Sequence, residues 1–281
     1  MTQIIVDSLP SDSFPDGLFE PYERGSISTY ANQCGRAVNL QTQERVDAEE
    51  DPDYVEPAYF ARGKIFHKMC EFHYGRPDLT PIWRLVDELG EAYETALRLF
   101  SAIKAEIPQD FATVTAVELP CPRTKDEKSA IEEYIGVPFK LVADAIVEFD
   151  EDRARDFDRR WFASTETVCP GTWVLDWKTE SSTEREHKYT MSHQRIAYTG
   201  VLRDVYGYDV KGMLFVRVVD NKVPKVLVTQ APPAAPWEMD MVRNDFKNAA
   251  ARIARDEANG FSCFSRYSIC KYYLNGACRR V

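Results

Sequence analysis

Two stretches alternate so regularly that they leave the chain little freedom in how it folds. In VPFKLVADAIVEFD (137–150) and TWVLDWK (172–178), apolar side chains recur at every second position. Successive side chains of a strand point to opposite faces, so each stretch reads as a strand with one face on a core. In the second, Trp173, Leu175 and Trp177 share one face, while Val174, Asp176 and Lys178 share the other. A charge in such a strand is costly to bury unless it is paired or binds an ion. Taken alone, Asp176 and Lys178 read better as a surface salt bridge of little value. Asp144 changes that balance, because it too lies among apolar neighbours, sharing a face with Val142 and Ile146. On adjacent strands Asp144 and Asp176 would converge as two hard oxygen donors of the kind Mg²⁺ and Mn²⁺ take. Lys178 would stand beside them as a point charge that holds water or neutralises a developing phosphoryl charge.

The remaining pattern places these strands in an α/β layered domain. FATVTAVEL (111–119), KGMLFVRVVD (211–220) and KVPKVLVTQ (222–230) read as further strands, the last two joined at Asp220–Asn221. Helical spacing runs through 58–75, 81–105, 187–207 and 235–260, and a helix through YANQCGRAVNLQ could be capped by Ser26 or Ser28. EDRARDFDRRWFASTE (151–166) reads as a polar connection and Glu180 to Ser182 as a turn. The expected order is helix, three strands, helix, strand. Residues 1–56 form an N-terminal extension, 57–235 the core and 236–281 a C-terminal helix and cysteine-rich tail, as one structural unit overall.

No run approaches the ~18 apolar residues of a membrane span, and the N-terminus has no basic stretch followed by an apolar one. A cytoplasmic protein without membrane contact is expected. The net charge of −10 argues against non-specific nucleic-acid binding. The charge is uneven, however: residues 44–56 carry seven acids, whereas Arg266, Lys271, Arg279 and Arg280 lie in an acid-free tail.

The ordered set of polar residues resembles the PD-(D/E)XK nucleases, and in particular their RecB-like branch, which includes the CRISPR-associated exonucleases. GKIFHKMCE matches G-x-x-x-H-x-x-x-E through Gly63, His67 and Glu71; VELP supplies Glu118; ADAI supplies Asp144. DWKT supplies Asp176, Lys178 and Thr179, and QRIAY matches Q-x-x-x-Y through Gln194 and Tyr198. The resemblance implies a restriction-endonuclease-like core built on a three-stranded mixed sheet. It also implies divalent-metal-dependent phosphodiester hydrolysis. His67, Asp144, Asp176 and Glu118 would hold Mg²⁺ or Mn²⁺, Lys178 would position or help deprotonate water, and Gln194 and Tyr198 would face the reacting groups. Glu71 also reads as an ordinary charge on a helix face. The implied substrate is DNA, as single strands or duplex ends. The implied setting is recombination, repair or phage DNA metabolism, with recombination or replication proteins as partners and the host cytoplasm as location if the chain is phage-encoded. A non-catalytic nucleic-acid-binding or assembly module, or an RNA-processing nuclease, is the alternative on the same fold.

The chain has seven cysteines, too odd a count for a disulfide framework. Three of them, Cys263, Cys270 and Cys278, crowd the tail. With Cys34, they resemble the four ligands of a 4Fe–4S cluster found in RecB-like nucleases, one before the core and three after it. Their wider spacing and Gly35 depart from that pattern, so zinc and free thiols stand as alternatives. The aromatic residues of the tail, Phe261, Phe264, Tyr267, Tyr272 and Tyr273, suit either packing or stacking on single-stranded bases.

Overall fold

The computed structural model describes residues 58–75, 90–162, 167–181, 187–257, 264–265 and 268–269, with Leu18, Ser26 and Asn39. Helices α1 (Ala58–Gly75) and α2 (Gly90–Glu106) precede β1 (Thr113–Cys121), α3 (Lys125–Ile135), β2 (Leu141–Phe149), α4 (Glu151–Trp161) and β3 (Gly171–Glu180). There follow α5 (His187–Thr190), α6 (His193–Asp204), β4 (Val210–Val219), β5 (Lys225–Ala231), α7 (Pro236–Ala254) and the two-residue strands β6 (Phe264–Ser265) and β7 (Ser268–Ile269). The α/β class is as expected. The sheet has five strands in the order β1-β2-β3-β4-β5 instead of three.

β3 pairs antiparallel with β2 and parallel with β4, and β5 returns antiparallel on β4. The parallel β3–β4 step requires a crossover, and α6 lies within it. On one face Trp173, Leu175 and Trp177 of β3 meet Leu214, Val216 and Val218 of β4, under Phe66, Met69 and Cys70 of α1 and Leu99 and Ile103 of α2. Tyr74 stacks on Trp177 with ring centroids 4.9 Å apart, and its hydroxyl donates to the Ile107 carbonyl at 2.8 Å. Gly75 ends α1 where β1 comes close: a Cβ there would lie 2.3 Å from Val117 Cγ1.

The chain forms two compact units. One comprises residues 1–13, 56–120 and 142–235, and so nearly all of the five-stranded sheet; the other comprises 14–55, 121–141 and 236–281. Within the second unit Phe139 stacks on Phe246 and Arg243 lies over the Tyr134 ring.

The structure departs from the sequence pattern in several places. Residues 151–161 form a helix, not a polar connection. Asp150 caps it by accepting from the Arg153 N–H at 2.8 Å. Acids fill its first turn and arginines its last, as the helix dipole favours, and only Ala154, Phe157 and Asp158 are buried. Asp158 is fully buried and its two oxygens accept the backbone N–H groups of Thr167 and Val168, at 2.7 and 2.8 Å. Asp158→Ala would strand both donors and should cost about 2–3 kcal/mol in urea unfolding. α3 also forms, from Thr124 as cap to Gly136 in a left-handed conformation (φ 87°). The helix expected over 187–207 is broken at Met191, because Ser192 caps a new helix by accepting from the Arg195 N–H at 3.0 Å. Glu180 is not in a turn: it is the buried last residue of β3. Of the helix expected over 81–105, residues 81–89 lie outside the described residues. Among the described residues no helix is long and apolar enough to cross a membrane.

Candidate active site

The ladder between β2 and β3 ends at Ala145–Leu175. Past that pair the strands part, and a side chain replaces the missing backbone partner: Asp144 Oδ2 accepts from the Trp177 N–H at 2.8 Å. The parting also lets α1 reach in, and His67 Nδ1 lies 3.2 Å from the same Asp144 oxygen. β1 supplies Glu118. One ligand atom each from His67, Glu118 and Asp144 fall within 4.8 Å of one another. Glu118 occupies the left-handed region (φ 45°), an unusual and costly conformation for a residue with a side chain.

Asp176 stands beside this trio, 2% exposed. Its Oδ1 accepts from Lys178 Nζ at 2.8 Å and from Gln194 Nε2 at 2.6 Å. Its Oδ2 lies 2.6 Å from Lys178 Nζ, yet this buried atom has no well-directed hydrogen bond. Tyr198, one turn beyond Gln194 on α6, is hydrogen-bonded to the Gln194 side chain and the Val142 backbone. The structure thus brings together His67, Glu118 and Asp144, and beside them Asp176, Lys178, Gln194 and Tyr198. Glu71 is buried one turn from His67, 2.5 Å from Lys68 Nζ. A Cβ at Gly63 would meet open space, so no steric need fixes that glycine. Cys34, Cys263, Cys270 and Cys278 lie outside the described residues. Of the others, Cys70 and Cys121 are buried and Cys169 is exposed.

Electrostatics separate the roles of the acids. Burial opposes ionisation of Asp144, but His67, Lys178 and the Trp177 N–H together outweigh it and hold the carboxyl below its ordinary value. The pairing with Asp144 raises His67 against the opposing effect of its burial. Asp176 is raised, by burial first and then by Asp144, with Lys178 pulling the other way. Lys178 is raised although burial disfavours its charge, because Asp176 and Asp144 stabilise the ammonium. It therefore remains a cation and hydrogen-bond donor, which favours positioning over proton abstraction. Glu118 is pushed up to about 7 by burial and by Asp144, with Lys68 opposing.

One imidazole and converging carboxylates make a donor set for a hard divalent cation. Asp176 Oδ2, ion-paired with Lys178 but without a well-directed hydrogen bond, adds an acceptor beside them. The residues present fit such an ion. Sequence reasoning missed three contributors: the Trp177 N–H, Lys68, and the buried Glu180–Arg217 pair next to Lys178. No side-chain pattern could have revealed the first, and only the position of Glu180 on the face of Asp176 and Lys178 pointed to the last.

The model of the PD-(D/E)XK nuclease superfamily matches residues 26–272. No curated protein matches the chain significantly. A crystal structure from Eubacterium rectale, provisionally named an exonuclease, is similar at 12% identity with a TM-score of 0.48, over 83% of this chain and 81% of that one.

Proposed function

The chain belongs to the PD-(D/E)XK nuclease superfamily, and on that premise we propose that it is a divalent-metal-dependent DNA exonuclease of the RecB-like branch, acting in recombination, repair or phage DNA metabolism. The observation that carries this reading is the convergence of His67, Glu118 and Asp144 beside the Asp176–Lys178 pair. In this reading His67, Glu118, Asp144 and Asp176 hold the ion, as Mg²⁺ or Mn²⁺. When bound, it supplies Lewis acidity toward the scissile phosphate and a reactive nucleophile at neutral pH.

The protein's own groups do the rest. Lys178 Nζ, fixed by Asp176, offers a permanent positive charge where the phosphoryl oxygens gain charge. Gln194, anchored between Asp176 and Tyr198, fixes the orientation of the Asp176 carboxylate from the α6 side. The Trp177 N–H locks Asp144 to the backbone, so that its carboxylate cannot swing away from His67. The net charge of −10 does not oppose DNA binding at such a site, because the bound cation and Lys178 invert the local field.

The test is a time course on end-labelled single- and double-stranded DNA with Mg²⁺ or Mn²⁺. Release of mononucleotides from the ends is expected, and chelation should stop it. Lys178→Ala should slow it by on the order of 10²-fold or more. Degradation that survives chelation, or that Lys178→Ala leaves intact, sinks the assignment. Fragments cut internally would make the enzyme an endonuclease.

A further inference from the structure

The alternation of β3 places Lys178 between two acids. Asp176 and Glu180 lie two residues to either side on the same face, each about 7 Å away along the strand. Strand geometry alone does not decide which of them holds the ammonium. In the structure it is Asp176, with Nζ 2.8 Å from Oδ1 and 2.6 Å from Oδ2.

Glu180 is equally buried in the sheet but is already committed. Its Oε2 accepts from Arg217 Nε at 2.8 Å and from Arg217 Nη2 at 2.5 Å. Its Oε1 accepts from the Tyr189 hydroxyl. Arg217 is 1% exposed and is the register partner of Lys178 on β4. It is itself held on three sides, by Glu180, by Thr229 Oγ1 at 3.3 Å and by the Tyr189 ring, whose centroid lies 5.0 Å from the guanidinium carbon. Tyr189 in turn packs on Phe215, the register partner of Asp176. Two guanidinium N–H groups on Oε2 and a phenol on Oε1 thus use both oxygens of Glu180, the second acid that flanks Lys178 on this face of β3.

We propose that Arg217 and Tyr189 are positioning residues: by saturating Glu180 they withdraw the competing carboxylate and reserve the Lys178 ammonium for Asp176. The proposal rests on the reading of Lys178 as a working group of the nuclease site. It predicts an asymmetry that a purely structural ion pair would not show. Freeing Glu180 should draw Lys178 off Asp176, whereas neutralising Glu180 should leave Lys178 where it is.

The experiment compares Arg217→Met, Glu180→Gln and the double variant in the full-length protein. Each is assayed for kcat on labelled DNA with Mn²⁺ and for Tm. The Lys178 side-chain methylene resonance is followed by NMR in metal-free protein, assigned through Lys178→Arg. Both single variants should lose Tm. Arg217→Met should lower kcat by tenfold or more and shift the Lys178 resonance. Glu180→Gln should stay within about twofold of wild type in kcat, with the resonance in place. The double variant should recover most of the kcat and the resonance lost in Arg217→Met. If Arg217→Met does not accumulate, Arg217→Gln makes the same comparison. Equal kcat losses in the two single variants, or a double variant as slow as Arg217→Met, would overturn the proposal. Lys178→Ala serves as the control for the underlying reading. If it cleaves DNA at the wild-type rate, that reading has failed, and the resonance alone then decides whether Arg217 and Glu180 set the position of Lys178.

Discussion

Asp176→Asn should reduce DNA cleavage by on the order of 10³-fold with little change in fold, as judged by near-UV circular dichroism. The two side chains have nearly the same shape. An asparagine oxygen can still accept from Lys178 or Gln194, which now meet at Oδ1. What is lost is the negative charge that fixes the ammonium, and the buried Oδ2 that has no well-directed bond within the protein. A carboxylate kept for packing or for its hydrogen bonds alone would tolerate this exchange. Cleavage within tenfold of the wild-type rate would therefore remove Asp176 from the reacting groups.

The second large effect concerns Glu118. In chelated protein its carboxyl is raised to about 7, by burial first and then by Asp144. The unfolded value is about 4.3, so the folded state favours the protonated form. The stability this gives is fully present below about pH 4 and is lost as the pH rises through about 7. At about 1.4 kcal/mol per pH unit, the whole effect is on the order of 4 kcal/mol at most, and solvent screening of this half-buried group reduces it. His67 is also raised and works in the same direction, while the lowered Asp144 matters only at acid pH. Thermal unfolding with chelator should thus show Tm falling between pH 5 and pH 8, and Glu118→Gln should flatten most of that slope. Glu118→Gly should stabilise further, by about 1 kcal/mol, because glycine accepts the left-handed backbone at this position without strain. Both variants should cleave DNA more slowly than wild type. A Tm that does not change with pH, or a Glu118→Gly variant less stable than wild type, would contradict this account.

Much of the architecture was legible because 137–150 and 172–178 alternate apolar side chains and β4 is a short, nearly continuous apolar run. Two hydrophobic sets on opposite sides of β3 leave one way to bury Trp173, Leu175 and Trp177, and that places Asp176 and Lys178 together. The helix over 151–161 was hidden because its buried face amounts to Ala154, Phe157 and Asp158 amid paired acids and arginines. Its capping residue and the order of its charges were the available signal. The break at Ser192 was hidden because apolar spacing continues across it and only a hydroxyl marks the new start. Convergence of the site residues could be expected only from their order along the chain. That Glu118 reaches the cluster through a left-handed residue, and that a backbone N–H secures Asp144, depends on where β2 and β3 part, which no side-chain pattern encodes.

The way β3 divides its side chains has a consequence for how this protein can change over generations. Trp173, Leu175 and Trp177 are sealed in the interior on one side, and Asp176, Lys178 and Glu180 carry the charge on the other. A one-residue insertion upstream in the strand would drive Asp176 into the place of Trp177, and a deletion would drive Lys178 there; either expels the indole from its stack on Tyr74. Folding and chemistry would fail in the same step. A shift of one residue therefore cannot spare one while it alters the other: the strand's charged positions and its core are fixed by the same register.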